Sequence, residues 1–146
     1  MFYSRYEHTI DNKGRLAIPA KFRNELTQGM FLTRSIDKCL ALYPAPTFNE
    51  IAAKVKSLPI TDQNARDFRR MFFSDAIDCD FDKQGRIIIP AELRHYAEIG
   101  EDDAAVMVVG VDNFIELWNK EKWVQLQARA EENGNDIAAA LGGLGL

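Results

Sequence analysis

Cysteine is scarce in this 146-residue chain: Cys39 and Cys79 are the two present, with no C-x-x-C spacing. Each lies in or beside an apolar strand-like stretch, so buried, reduced thiols are expected. Long apolar runs are missing as well. None approaches the roughly 18 residues that a membrane-spanning helix needs, and the opening "FYSRYEHTI" lacks the apolar core of a secretory signal. A cytoplasmic protein is therefore expected. Positive charge is not in excess either. A net charge of −4 argues mildly against nucleic acid as a partner and gives no support for an anionic membrane surface.

Recognisable catalytic patterns are also wanting. Ser4, Ser35, Ser57 and Ser74 lie outside any G-x-S-x-G elbow, and His8 has no nucleophile or acid partner in a familiar arrangement. The glycines of "LGGLGL" lack the Lys and Ser/Thr of a phosphate-binding loop. Glu92, His95 and Glu98 are spaced to share one side of a helix, but carboxylate metal sites draw ligands from several helices, and a solvated face is the expectation. No enzyme, catalytic residue, metal or cofactor is expected.

What the chain does have is a repeat. At 47% hydrophobic and 27% charged residues it is globular. "DNKGRLAIPAKFR", beginning at Asp11, returns as "DKQGRIIIPAELR", beginning at Asp82, with seven of thirteen positions identical. The similarity resumes at an offset of 75, where "FLTRSIDKCLALY" from Phe31 lies over "VMVVGVDNFIELW" from Val106. The change of offset places about four extra residues near "GEDDAA". Phe48, Ile51 and Val55 then fall over Trp123, Leu126 and Ala130. The chain reads as a tandem duplication.

Each copy has the same order. A short strand (Tyr3–Ile10; Ala76–Phe81) meets a Gly-containing turn and an aliphatic strand (Arg15–Ile18; Arg86–Ile89), as in a hairpin. Pro19 and Pro90 suit helix starts, and Gly29 and Gly100 suit helix ends. Two further strands and an amphipathic helix follow. In the first copy Thr47 and Glu50 have capping-box spacing before that helix. "TDQNARDFRRMFF" is expected to be a connecting helix with Phe68 and Phe72 on its buried side, and the glycine-rich tail is expected to be mobile rather than a stable helix.

In "D-x-x-G-R" the Gly can take a positive φ, the Asp can accept from turn N–H groups, and the Arg four positions on can reach back to it. The pair could simply pin the turn, though exposed ion pairs contribute only about 0–1 kcal/mol. It could equally orient a guanidinium for phosphate or guanine. Residue chemistry leaves these two readings open. Charge is uneven between the copies: residues 1–38 hold seven Lys and Arg against four acids, residues 75–103 three against nine.

Two "DxxxR" motifs, each followed by an aliphatic strand and "PA", together with "CLALYP", "ARDFRRMFF" and "FIELW", resemble the MraZ family of bacterial transcriptional regulators over nearly the whole chain. The resemblance implies an α+β fold: a tandem-duplicated swapped-hairpin (AbrB-like) β-barrel with flanking short helices. SpoVT-AbrB units would span 5–47 and 76–119, with a helical connection at 48–75 and a C-terminal helix and tail at 120–146. It also implies a repressor of the nucleoid that binds repeated boxes in double-stranded promoter DNA, upstream of the division and cell-wall gene cluster. Self-association into rings of about eight to twelve protomers is implied too. Weak basic patches then gain effective affinity by acting together, which offsets the acidic net charge.

By motif, Asp11 and Asp82 are the orienting carboxylates. Arg15, Lys13 and Arg5 are the main expected DNA contacts, and Arg86 and Lys83 lesser ones, because the second copy is acidic. Arg66, Arg69 and Arg70 are expected to pair with acids across a subunit interface, and Phe114, Trp118 and Trp123 to pack rather than stack on bases. The alternative from another class is an AbrB-like protein-interaction module that uses the same hairpins without reading DNA.

Overall fold

The computed structural model describes residues 1–146. Each copy has the order strand, strand, helix, strand, strand, helix, helix. The first comprises β1 (Arg5–Ile10), β2 (Arg15–Ala17), α1 (Ala20–Arg23), β3 (Met30–Arg34), β4 (Leu40–Pro44), α2 (Ala45–Lys56) and α3 (Gln63–Ser74). The second comprises β5 (Ile77–Cys79), β6 (Arg86–Ile88), α4 (Ala91–Ala97), β7 (Ala104–Val111), β8 (Phe114–Asn119), α5 (Lys120–Glu132) and α6 (Gly134–Leu141), closed by a 3-10 turn at Gly142–Leu144. No helix is long and apolar enough to cross a membrane.

All eight strands form one antiparallel sheet in the order β5-β3-β4-β8-β7-β1-β2-β6. Its two edge strands are joined through the 82–86 turn, where the Asp82 N–H donates to the Arg86 carbonyl at 2.9 Å, so the sheet curls into a nearly closed barrel. The copies are interleaved rather than side by side. β1 pairs with β7 and β5 with β3, each a first strand on the other copy's third, while β2 pairs with β6 and β4 with β8. A pseudo-twofold axis therefore passes through the β2–β6 and β4–β8 pairs.

Neither half could close this barrel alone, because each contributes strands whose hydrogen bonds and apolar faces are completed by the other. Ile10, Leu16, Ile18, Leu32 and Leu42 meet Ile87, Ile89, Val106, Ile115 and Leu117 in one core, all fully buried. Removing each such side chain from water contributes about 1.5–3 kcal/mol before entropy is counted. Cys39 and Cys79 are buried free thiols, and burial pushes both thiol pKa values up, that of Cys79 to about 12.

Several boundaries differ from the sequence expectation. Helix α1 ends at Arg23, well before Gly29, and α4 ends with Glu98 in the left-handed region (φ 55°), so Gly100 does not stop it. Helix α2 begins at Ala45 after Pro44, with no side-chain cap: Thr47 already lies inside the helix, and a capping box needs its Ser/Thr before the first turn. The carboxylate that does cap is Asp62, which accepts from the Asn64 N–H and starts α3. α3 buries Phe72, with Phe68 packed against the same cluster, as its spacing predicts. Residues 134–141 form a helix despite the glycines around them; Ala138, Ala139, Ala140 and Leu141 are strong helix formers, Asp136 suits the first turn, and most of the glycines come after the helix.

Candidate functional site

The two repeated turns share one hydrogen-bond plan. Asp11 Oδ1 accepts from the N–H groups of Lys13 and Arg15, both at 2.9 Å, and Oδ2 accepts from Arg15 Nε at 2.6 Å. Asp82 Oδ1 accepts from Gln84 and Arg86, both at 2.9 Å, and Oδ2 from Arg86 Nε at 2.8 Å. These donors favour the ionised carboxylate. The Arg15 N–H, aided by its guanidinium and the Lys13 N–H, brings Asp11 down to about 2, and the Arg86 N–H is the leading cause of a lowered Asp82. Gly14 and Gly85, at φ +77° and +74°, make the turns possible.

The interleaved fold brings the turns together. In the β2–β6 pair Leu16 faces Ile87 in the core, while Arg15 sits opposite Ile88 and Ala17 opposite Arg86. Strand alternation then puts Arg15, Ala17, Arg86 and Ile88 on the outer face of one two-stranded ribbon. Ile88 is 63% exposed there. The ladder runs on into the turns, because the Ile89 N–H donates to the Gly14 carbonyl at 2.8 Å and the Ile18 N–H to the Gly85 carbonyl at 3.1 Å. Arg86 Nη1 lies 3.8 Å from Asp11 Oδ2, so Arg86 faces two carboxylates, whereas Arg15 binds one through Nε and keeps both Nη groups without a protein partner.

Lys13 and Lys83 are exposed at the turn tips, one beside each motif arginine. Arg5, at the far end of β1, is roughly 20 Å along the strand from Asp11 and is not brought into the ribbon. Glu92 and His95 are exposed on α4, but Glu98 has left the helix and pairs with Lys122 at 3.1 Å, so the three do not share a helix face. On α3, Arg66 donates to the Ile60 carbonyl at 3.0 Å, Arg69 to the Lys56 carbonyl at 3.4 Å, and Arg70 pairs with Asp67 at 3.1 Å, all within the chain. Trp118 is buried, its ring 6.0 Å from that of Trp123, and Phe114 packs 5.2 Å from Tyr43.

Two further residues belong to the site. Arg23 Nη1 donates to the Ile18 carbonyl at 2.7 Å and rests on Gly85 of the other copy's turn; Arg94 Nε donates to the Ile89 carbonyl at 3.0 Å and rests on Gly14. A β-carbon on Gly14 would lie 3.2 Å from Arg94 Nε and 2.8 Å from the Ile89 carbonyl oxygen, so glycine is needed for closeness as well as for φ. Each turn is thus held by the other copy's arginine. The sequence signal was present, since Arg23 and Arg94 are identical positions of the repeat, but nothing local shows that their contact crosses between copies.

The comparisons agree with the duplication. The family model described as "MraZ protein, putative antitoxin-like" matches twice, over residues 1–71 and 72–142. Proteins named "Transcriptional regulator MraZ" are similar to the chain. That of Halothermothrix orenii is 48% identical over the full length of both chains, that of Herpetosiphon aurantiacus 52% over 84% of each, and that of Pediococcus pentosaceus 45% over the full length of both.

Proposed function

The chain belongs to the MraZ family, and from that membership we propose that it is a non-enzymatic transcriptional regulator that reads double-stranded promoter DNA with the β2–β6 ribbon. One observation carries the reading. The fold gathers Arg15 and Arg86 from both copies onto one outward ribbon, orients their guanidiniums by Asp11 and Asp82, and leaves Lys13 and Lys83 exposed in the turns that lead into it. A two-stranded ribbon fits the major groove of B-DNA, and guanidinium groups held in plane suit guanine edges or phosphates. A turn that needed only pinning would gain nothing from free Nη groups on its outer side.

The finer reading follows the family. The protein acts in the cytoplasm on the nucleoid as a repressor, on repeated boxes upstream of the division and cell-wall gene cluster. It works as a ring-shaped homo-oligomer of about eight to twelve copies. Units 5–47 and 76–119 are the two halves of the DNA-reading barrel. Repeated boxes and repeated ribbons explain how a protein of net charge −4 holds DNA, since linked contacts raise effective affinity roughly 10²- to 10⁴-fold. Arg5 reaches the same DNA only if the duplex extends past the turns along β1.

Fluorescence anisotropy with the upstream DNA of its own gene, at two salt concentrations and with a scrambled control, tests this. Tight, salt-sensitive, sequence-dependent binding that Arg15→Ala loses is the expected result. A folded wild type that binds neither DNA would return the Asp–Arg pairs to structural pins and leave a protein-interaction module as the better description.

A further inference from the structure

The two copies end differently. In the first, six residues (57–62) join α2 to α3, enough for α3 to turn back and lay Phe68 and Phe72 on α2, which buries Phe48, Ala52 and Val55. Thr33 Oγ1 fixes the arrangement by donating to the Phe72 carbonyl at 3.0 Å. In the second, Asn133 alone separates α5 from α6. Helix pairs that reverse direction need about two to five connecting residues. α6 therefore cannot fold back onto α5 of its own chain. α5 buries no side chain, and every residue from 128 to the end is exposed.

Two complementary surfaces result. One is a groove of about 470 Å³ floored by Trp118 and Leu126 and rimmed by Lys38, Lys122 and Arg129, with Asp37 at its edge. By the repeat, Trp118 and Leu126 correspond to Tyr43 and Ile51, and in the first copy those two pack in one cluster with Phe68 and Phe72 of α3. The other surface is α6 itself. Ile137 and Leu141, spaced i and i+4, are 43% and 37% exposed, Leu144 in the following 3-10 turn is 69% exposed, and Glu131, Glu132 and Asp136 precede or flank them. Apolar stripe matches apolar floor, and the acids match the cationic rim.

We propose that α6 of one copy lies in the α5 groove of a second copy of this chain, with Ile137 and Leu141 over Trp118 and Leu126 as Phe68 and Phe72 lie over Tyr43 and Ile51. The contact joins two different surfaces and so runs head to tail, the kind of interface that closes into a ring. A hinge too short for docking within one chain is what drives an element onto its neighbour. The inference rests on the self-assembly proposed above and names the contact that makes it.

Native mass spectrometry across a dilution series, wild type beside the double variant Ile137→Asp, Leu141→Asp, reads the contact directly. Both side chains are exposed within the protomer, so circular dichroism should be unchanged. The variant is expected to need about tenfold or more protein to assemble, from the lost burial of two aliphatic side chains. As a second readout, Leu126→Cys and Ile137→Cys proteins are mixed and oxidised; a disulfide between chains is expected, since native Cys39 and Cys79 are buried. A wild type that assembles with the Asp variant equally competent overturns the docking and leaves self-assembly standing, as does an oxidised mixture with no disulfide between the Leu126→Cys and Ile137→Cys chains. A monomeric wild type overturns both.

Discussion

Arg15→Ala and Arg86→Ala are equivalent changes in the repeat with unequal expected effects on DNA binding. Arg15 commits Nε to Asp11 and keeps both Nη groups for a ligand. Arg86 commits Nε to Asp82 and turns Nη1 toward Asp11 at 3.8 Å, so part of its charge is already answered. A bidentate guanidinium–guanine contact is worth about 1–3 kcal/mol, which is roughly 5- to 160-fold in Kd. Arg15→Ala should fall in that range and Arg86→Ala below it. The salt dependence identifies what Arg15 touches: loss of a phosphate contact lowers the slope of log K against log salt by about 0.9, whereas loss of a base contact leaves the slope and removes discrimination against the scrambled site. Anisotropy titrations of both variants at several salt concentrations, with thermal melts to confirm folding, decide it. Equal losses would refute the asymmetry.

The crossed contacts predict crossed couplings. Arg94→Ala should weaken DNA binding and couple more strongly with Arg15→Ala than with Arg86→Ala, because Arg94 rests on the first copy's turn, where Arg15 bonds Asp11 at 2.6 Å and Arg86 reaches it only at 3.8 Å; the reverse order in a double-mutant cycle would contradict this. Gly14→Ala meets a positive φ, about 1–2 kcal/mol, and the Ile89 carbonyl oxygen, which cannot move without disturbing the bond it accepts from Arg94 Nε, about 1 kcal/mol more. Urea unfolding should show a loss of about 2–3 kcal/mol, and a change under about 0.5 kcal/mol would count against the close approach. Asp11 titrates below its usual 3.8, at about 2, so its stabilisation of the turn is complete above about pH 4 and is lost as pH falls toward about 2. NMR carboxyl titration should show that value in the wild type and a rise toward the usual one in Arg15→Ala; a wild-type Asp11 titrating near 3.8 would remove the proposed donors.

The duplication follows from the sequence alone by self-similarity at offsets of 71 and 75, and the hairpin turns, the glycines at positive φ and the Asp–Arg pairs do so because each is set by residues within five positions of one another. So is the burial of Phe72 by helical spacing. The ends of α1, α2 and α4 were not legible, since a glycine or Thr-x-x-Glu pattern suits a boundary without compelling one, and here Pro44 and the left-handed Glu98 took those roles. The tertiary structure alone decided which strand pairs with which. β1 pairs with β2 of its own copy, as a hairpin predicts, but no local rule names the partner of its other edge; what sends that edge to β7 is that the full apolar core closes only when the halves interleave. That pairing places Arg15 beside Arg86, Arg94 on Gly14 and Arg23 on Gly85, and it leaves Arg5 about 20 Å away. Sequence wrote two similar half-sites; only long-range strand pairing, which depends on burial across 70 or so residues of separation, made them one surface.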